Sequence, residues 1–235
     1  MVCNFVTIVA SPRPRVGKTL VARLLTDFNL RDARSIAAFD LNVGDGTLAQ
    51  FIPKHVTLSN IDDLKGQMAI FDRLIVDDGI NKVVDLGSAS FEPFFSLASQ
   101  LELVEEAHRH GIAFVIIYLM TPDGTSVEAY CDLRKRWPEA VFAPLHNEIF
   151  GAAPYLNKYA PMGSGTVVMR LPLIASNARK FIEVPPFSFA DSAQIALLGT
   201  EIRIELHHFL QRIYRDFQEL YLRPTFTELK SSIQL

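Results

Sequence analysis

Gly17-Lys18-Thr19 stands directly after an apolar run and directly before a helical pattern. That order suits phosphate. Backbone N–H groups and a helix N-terminus hold the oxygens, the Lys ammonium reaches the outer phosphates, and the Thr hydroxyl ligates Mg²⁺. The preceding loop, Ser11-Pro12-Arg13-Pro14-Arg15-Val16, adds two arginines. The residues expected to line such a site are Arg15, Val16, Gly17, Lys18, Thr19 and Leu20. Two acids fall where this chemistry needs them. Asp40 closes the run Ala37-Ala38-Phe39-Asp40 and Asp85 closes Val83-Val84-Asp85. Carboxylates at strand tips beside a phosphate loop hold Mg²⁺ directly or through water. Thr19, Asp40 and Asp85 are the candidate metal ligands.

The elements that must position these residues follow from periodicity. Short apolar runs at 3–10, 35–40, 82–85, 112–120, 140–145 and 166–170 read as strands. They are continuously apolar, as in parallel sheets covered on both faces. Between them, residues 18–28, 58–76, 94–110 and 126–137 carry helical spacing, with Gly111 as a stop signal. Ile195, Leu198, Ile202, Leu206, Phe209, Ile213, Phe217 and Leu220 step by three or four, predicting one long C-terminal helix. Trp137 before Pro138 is expected to close a helix against the core, and Asp62-Asp63 and Asp77-Asp78 to serve as caps and turns. The fold class expected is α/β: a mostly parallel central sheet with helices on both faces, forming a single domain over 1–235. Ligands of such sheets bind at the carboxyl ends of the strands.

Composition bounds the rest. The chain has 235 residues, 49% of them hydrophobic, which excludes disordered and low-complexity classes. Two cysteines, Cys3 and Cys131, make no disulfide framework, and the N-terminal run lacks a signal-peptide layout, so a cytoplasmic protein is expected. The longest apolar run falls far short of the ~20 residues that span a bilayer. The final helix lacks the composition of a membrane-targeting tail, so no membrane contact is expected. With net charge −3, direct DNA contact would need a local patch. Arg203, Arg212, Arg215 and Arg223 offer only a weak strip, interleaved with Glu201, Glu205, Asp216 and Glu219. His207-His208 reads as a surface pair, and His146 as a core residue or a neighbour of a bound base.

On these motifs the chain resembles the ParA/MinD group of P-loop ATPases, in the class that includes signal-recognition GTPases and dethiobiotin synthetase. The likeness covers about residues 2 to 190, and Val83–Ser96 looks most like the TraL-type ATPases of plasmid conjugation. The group's loop is K-G-G-x-G-K-T, and its early Lys crosses a dimer interface; Arg13 stands at that position here. Its switch I region resembles D-x-D-P-Q-G-N, matched by Asp40-Leu41-Asn42-Val43-Gly44-Asp45-Gly46. The resemblance implies ATP and Mg²⁺ as cofactors, with Lys18, Asp40 and Arg13 as catalytic residues and Asp85 as the switch II acid. It makes Asn147 the reader of adenine and places Pro172 in the loop lining the base. No Asn-Lys-x-Asp guanine-reading motif is present. It also implies a nucleotide-dependent homodimer and a partner protein of unknown identity, through which plasmid or chromosomal cargo is positioned or transferred.

Four residues depart from the group's pattern. Pro12 and Pro14 stand where the loop is usually flexible, and Pro14 removes an N–H donor. Arg15 replaces a Gly, and would obstruct the loop if that position requires positive φ. Asn42 replaces the second switch I acid. The expectation is a nucleotide-binding switch with slow or partner-stimulated ATP hydrolysis. The alternatives are a pseudo-ATPase interaction protein, or an ATP-dependent carboxylate ligase like the dethiobiotin and cobyrinate synthases.

Overall fold

The first apolar run is strand β1 (Asn4–Ala10), buried along its whole length. Its alternate residues face opposite ways: Phe5 and Val9 join one apolar cluster, Val6, Ile8 and Ala10 another. Both faces of β1 are therefore covered, which is why its sequence does not alternate. The structure is a computed structural model describing residues 4–42, 47–152, 156–159 and 166–233, with backbone alone for 156 and 223–233. Cys3, the segment Val43-Gly44-Asp45-Gly46 and the Arg223 side chain lie outside the described residues.

The chain continues through α1 (Lys18–Arg31), β2 (Ile36–Asp40), α2 (Thr47–Phe51), β3 (Val56–Leu58), α3 (Leu64–Ile75) and β4 (Asn81–Asp85). Then come α4 (Phe91–Gln100), α5 (Leu103–Arg109), β5 (Ile112–Leu119), α6 (Gly124–Arg136) and β6 (Val141–Asn147). The last elements are β7 (Met169–Leu171), α7 (Ser176–Ile182), α8 (Ser192–Ala196) and α9 (Thr200–Ile233). The strands form one parallel sheet in the order β3-β2-β4-β1-β5-β6-β7. The expected α/β class with helices on both faces is the one found. β1 lies between β4 and β5, the point where strand order reverses and such sheets open a crevice.

One face is covered by α1, α7 and α9. Leu206, Phe209, Ile213, Phe217 and Leu220 of the predicted stripe are all buried there. Tyr221 stacks on Phe5 with ring centroids 4.2 Å apart, and Phe217 lies against Phe28. The opposite face packs α3 to α6, with Trp137 buried against Phe95 and Phe114, as expected of a helix-closing residue.

Four elements differ from the sequence expectation. Residues 58–76 are not one helix: Val56–Leu58 pairs with β2 as an edge strand, and α3 begins only where Asp63 accepts the Gly66 N–H as its N-cap. Residues 94–110 are two helices beginning at Phe91. α4 closes with Leu101 N–H donating to Leu97 O, and Glu102, at φ 49°, turns the chain so that Leu103, Val104 and Ala107 reach the core. The C-terminal stripe begins later than predicted. Ile195 belongs to α8, Leu197 is exposed in the intervening turn, and α9 starts at Thr200. β7 is likewise shorter than 166–170, Thr166 making only an isolated bridge to Phe142.

α1 also carries a polar tie into the core. Buried Asp27 accepts from the Ser188 hydroxyl (2.7 Å) and the Phe189 N–H (2.6 Å). Burial pushes its pKa up to about 6, with Asp191 adding to the rise, while those hydrogen bonds and Arg23 oppose it. A folded pKa above the unfolded value of about 3.9 means the folded state binds more protons between pH ~4 and ~6. Stability from this group therefore falls as pH rises through that window and levels off above it. The melting temperature of Asp27→Asn minus that of the wild type is expected to climb from pH 4 to 6 and then stay flat. A difference independent of pH would show that burial does not control Asp27.

Candidate functional site

The loop from Ser11 to Gly17 joins the end of β1 to α1. Gly17 sits at φ 102°, a conformation open to glycine. A Cβ there would stand 2.9 Å from Asn147 Nδ2, which donates to Val16 O at 3.0 Å. Arg15 holds φ 57° and its side chain is exposed. The position does require positive φ, and here a non-glycine accepts it, at about 1–2 kcal/mol. The loop is open rather than blocked: a cavity of about 670 Å³ lies against Pro14, Arg15, Gly17, Lys18, Thr19 and Asn42.

Lys18 is buried, and its Nζ donates to Arg13 O at 2.7 Å. Burial lowers its pKa to about 8, against the opposing attraction of Asp85. Leu20 is half-buried and lines the same cavity.

Parallel pairing sets β2 beside β4 with Asp40 directly opposite Asp85, and β4 beside β1. The two strand-tip acids thus meet at the start of α1. Asp85 Oδ2 accepts from Thr19 Oγ1 (2.7 Å) and Asn42 Nδ2 (2.8 Å), while its Oδ1 is buried with no partner among the described residues. Asp40 Oδ1 accepts from Asn42 N (3.0 Å) and Nδ2 (2.9 Å), and its Oδ2 accepts from Ala49 N (3.1 Å). Asn42, noted in the sequence only as a missing acid, bridges the two carboxylates. Thr47 Oγ1 lies 3.3 Å from Thr19 Oγ1. Gly87 permits this crowding, since a Cβ there would stand 2.9 Å from Leu41 O.

Complete burial pushes the Asp85 pKa up to about 7, reinforced by Asp40; hydrogen bonds from Thr19 and Asn42 and the Lys18 charge pull the other way. Two carboxylates and a hydroxyl, with one buried oxygen unpartnered among the described residues, form a hard-oxygen set that fits Mg²⁺. Thr19 and Asp85 meet directly, and Asp40 joins them through Asn42.

Other candidates are placed differently. Arg13 lies beside Asp123 across the loop, its Nε 3.0 Å from Asp123 Oδ1. Asp123 in turn caps α6 through Ser126 N–H, and the guanidinium holds its carboxyl well below the usual range. The only sequence signal for Asp123 was its N-cap position before an apolar-periodic helix. Asn147, at the end of β6, has both ends of its amide engaged, Nδ2 with Val16 O and Oδ1 with Ile149 N–H. It props the loop from behind. Pro172 follows β7 and is buried, lining a separate cavity with Leu173 and Phe209. On α9, Arg212 pairs with Glu148 and Arg203 donates to Thr200 Oγ1. Among the described residues no helix is long and apolar enough to cross a membrane.

No protein-family model matches this chain, and no curated protein sequence matches it. Solved structures do. The chain is similar to a MinC:MinD cell division protein complex from Aquifex aeolicus, at TM-score 0.53 and 12% identity, over 89% of this chain and 96% of that one. MinD from the same organism aligns at TM-score 0.48 and 12% identity, over 89% and 97%. A plasmid partition protein from Borrelia burgdorferi aligns at TM-score 0.42 and 11% identity, over 90% and 100%. At such identity the first of these carries the fold. The chain shares the α/β fold of that MinD complex, the fold class expected from the sequence.

Proposed function

We propose that this chain is a nucleotide-dependent switch of the ParA/MinD type, a cytoplasmic protein that binds ATP–Mg²⁺, dimerises and positions or transfers plasmid or chromosomal cargo through a partner protein. The observation that carries the reading is the joined set Thr19–Asp85–Asn42–Asp40 beside Lys18, at the mouth of a cavity large enough for a nucleotide. The similar MinD chain was solved with MinC, which supports a protein partner.

In this reading Lys18 exchanges Arg13 O for the outer phosphate oxygens, and the α1 N-terminus supplies N–H donors. Thr19 and Asp85 would hold Mg²⁺, with Asp40 orienting the attacking water or the shell around the ion, and neutralisation of phosphate charge is the chemistry the ion would supply there. Arg13 acts in trans on the nucleotide of a second copy, which requires it to leave Asp123. Asn147 borders the base, releasing one of its two internal bonds to read adenine, while Pro172, which lines a separate cavity, takes no part in the site. Slow turnover follows from Asn42, which removes one negative charge from switch I.

Calorimetric titration of ATP–Mg²⁺ into wild type and Lys18→Ala tests this. Micromolar binding is expected, weakened about 100-fold in the variant, as for loss of charge-assisted hydrogen bonds. Arg13→Ala is expected to lower turnover while leaving binding by the monomer in place. One observation favours a second reading, an interaction protein without nucleotide: Pro14 cannot donate to phosphate, and Lys18 is already satisfied by Arg13 O. No heat at millimolar ATP would select that reading.

A further inference from the structure

Helix α2 is only five residues long; Leu48 holds it in the core, and its orientation about that anchor is set by contacts at its two ends. Its N-terminal end is tied to the candidate metal site, by Thr47 against Thr19 and by Ala49 N–H to Asp40. At its other end the Phe51 ring packs against the Arg23 guanidinium, with Cζ 3.5 Å from the ring centroid. Arg23 is one turn along α1 from Thr19, is 3% exposed, and is itself immobilised. Its terminal nitrogen donates to Ile182 O (2.8 Å) and Phe187 O (3.3 Å), and the Phe189 ring lies 5.1 Å away. No carboxylate forms an ion pair with it among the described residues. The planar cation thus packs against two aromatic rings, of which Phe51 is the nearer.

We propose that Arg23 and Phe51 are positioning residues. Their stack fixes α2 against α1, and through the Ala49 N–H it sets the Asp40 carboxylate for the Mg²⁺-dependent part of nucleotide binding. The physical path is short. Arg23 is anchored by the 182–187 backbone, Phe51 is anchored by Arg23, α2 is rigid over its single turn, and its Ala49 N–H donates to Asp40 Oδ2. Loss of the stack frees α2 to rotate, and Asp40 then loses that donor. This rests on the reading of the cavity as a nucleotide–Mg²⁺ site.

The test compares Phe51→Leu, which keeps apolar bulk without the π face, with Phe51→Tyr, which keeps both. The quantity read is the ratio of ATP affinity with Mg²⁺ to ATP affinity in EDTA. Phe51→Leu is expected to lower that ratio about tenfold, Arg23→Lys to do the same, and Phe51→Tyr to restore it. A merely structural role would shift both affinities together, and an unchanged ratio in Phe51→Leu overturns the proposal. If the wild type binds no ATP, the functional reading falls, and hydrogen exchange still decides the stack. Amides 48–52 are expected to exchange faster in Phe51→Leu and at the wild-type rate in Phe51→Tyr. Equal exchange in all three would refute it.

Discussion

Gly17→Ala is expected to abolish ATP–Mg²⁺ binding while leaving the protein folded. Two independent effects converge on that single methyl. At φ 102° an alanine is strained by at least the ~1–2 kcal/mol typical of left-handed backbone. The methyl would also stand 2.9 Å from Asn147 Nδ2. Asn147 cannot swing away freely, because its Oδ1 accepts from Ile149 N–H and its Nδ2 donates to Val16 O. Relief therefore moves the loop itself, including the start of α1. With overpacking at about 1–3 kcal/mol, the melting temperature should drop by roughly 5–10 °C. Adding Asn147→Ala removes the close contact but not the strain, so the double variant should recover part of the melting temperature and none of the binding. Wild-type affinity in Gly17→Ala would show that the loop geometry is not what holds phosphate.

Asp85→Asn is expected to do the opposite to stability. Asp85 is wholly buried, pairs across the strands with Asp40, and has one oxygen without a partner among the described residues. Holding it ionised near neutral pH is unfavourable, which is what its pKa of about 7 expresses. An asparagine keeps an acceptor for Thr19 and Asn42 and removes the charge. The nucleotide-free variant should melt roughly 5 °C higher at pH 8, since each kcal/mol is worth about 2–4 °C at this size. The gain should shrink toward pH 4, where the wild-type carboxyl is protonated and bears no such penalty. Mg²⁺-dependent tightening of ATP binding should meanwhile disappear. A more stable protein with a disabled metal site is the trade-off of a strained functional group. A variant that melts lower than wild type at pH 8 would mean that Asp85 is ionised comfortably, with no burial penalty to relieve.

Much of the site was legible because its ingredients are local. Gly17-Lys18-Thr19 announces itself by following an apolar run, and Asp40 and Asp85 by ending two others. Arg15 could be judged only conditionally, as an obstruction if φ were positive. The backbone supplies the missing fact: φ is positive, and Arg15 adopts it with its side chain exposed at the cavity. The short elements β3, α2, α7 and α8 escaped notice because three to seven residues are too few to establish a period. The 94–110 helix was overextended for the converse reason. Its apolar spacing runs on through Leu101 and Glu102, and only the left-handed turn at Glu102 breaks it.

Sequence by itself determined that strands and helices alternate, that the strands are covered on both faces, and which residues sit at the strand tips. Periodicity and turn chemistry are properties of neighbouring residues, so they survive without knowledge of the fold. Tertiary structure alone decided what those tips meet. The order β2-β4-β1 sets Asp40 against Asp85 and Asp85 against Thr19, an adjacency that no local pattern encodes. The same holds for Arg13 with Asp123, 110 residues apart, Asn147 with Val16, 131 apart, and Arg23 with Ile182, 159 apart. Such contacts form only after the sheet closes its order and the helices bury both faces. The partners are then selected by packing over the whole core, and a linear reading supplies the groups without their pairing.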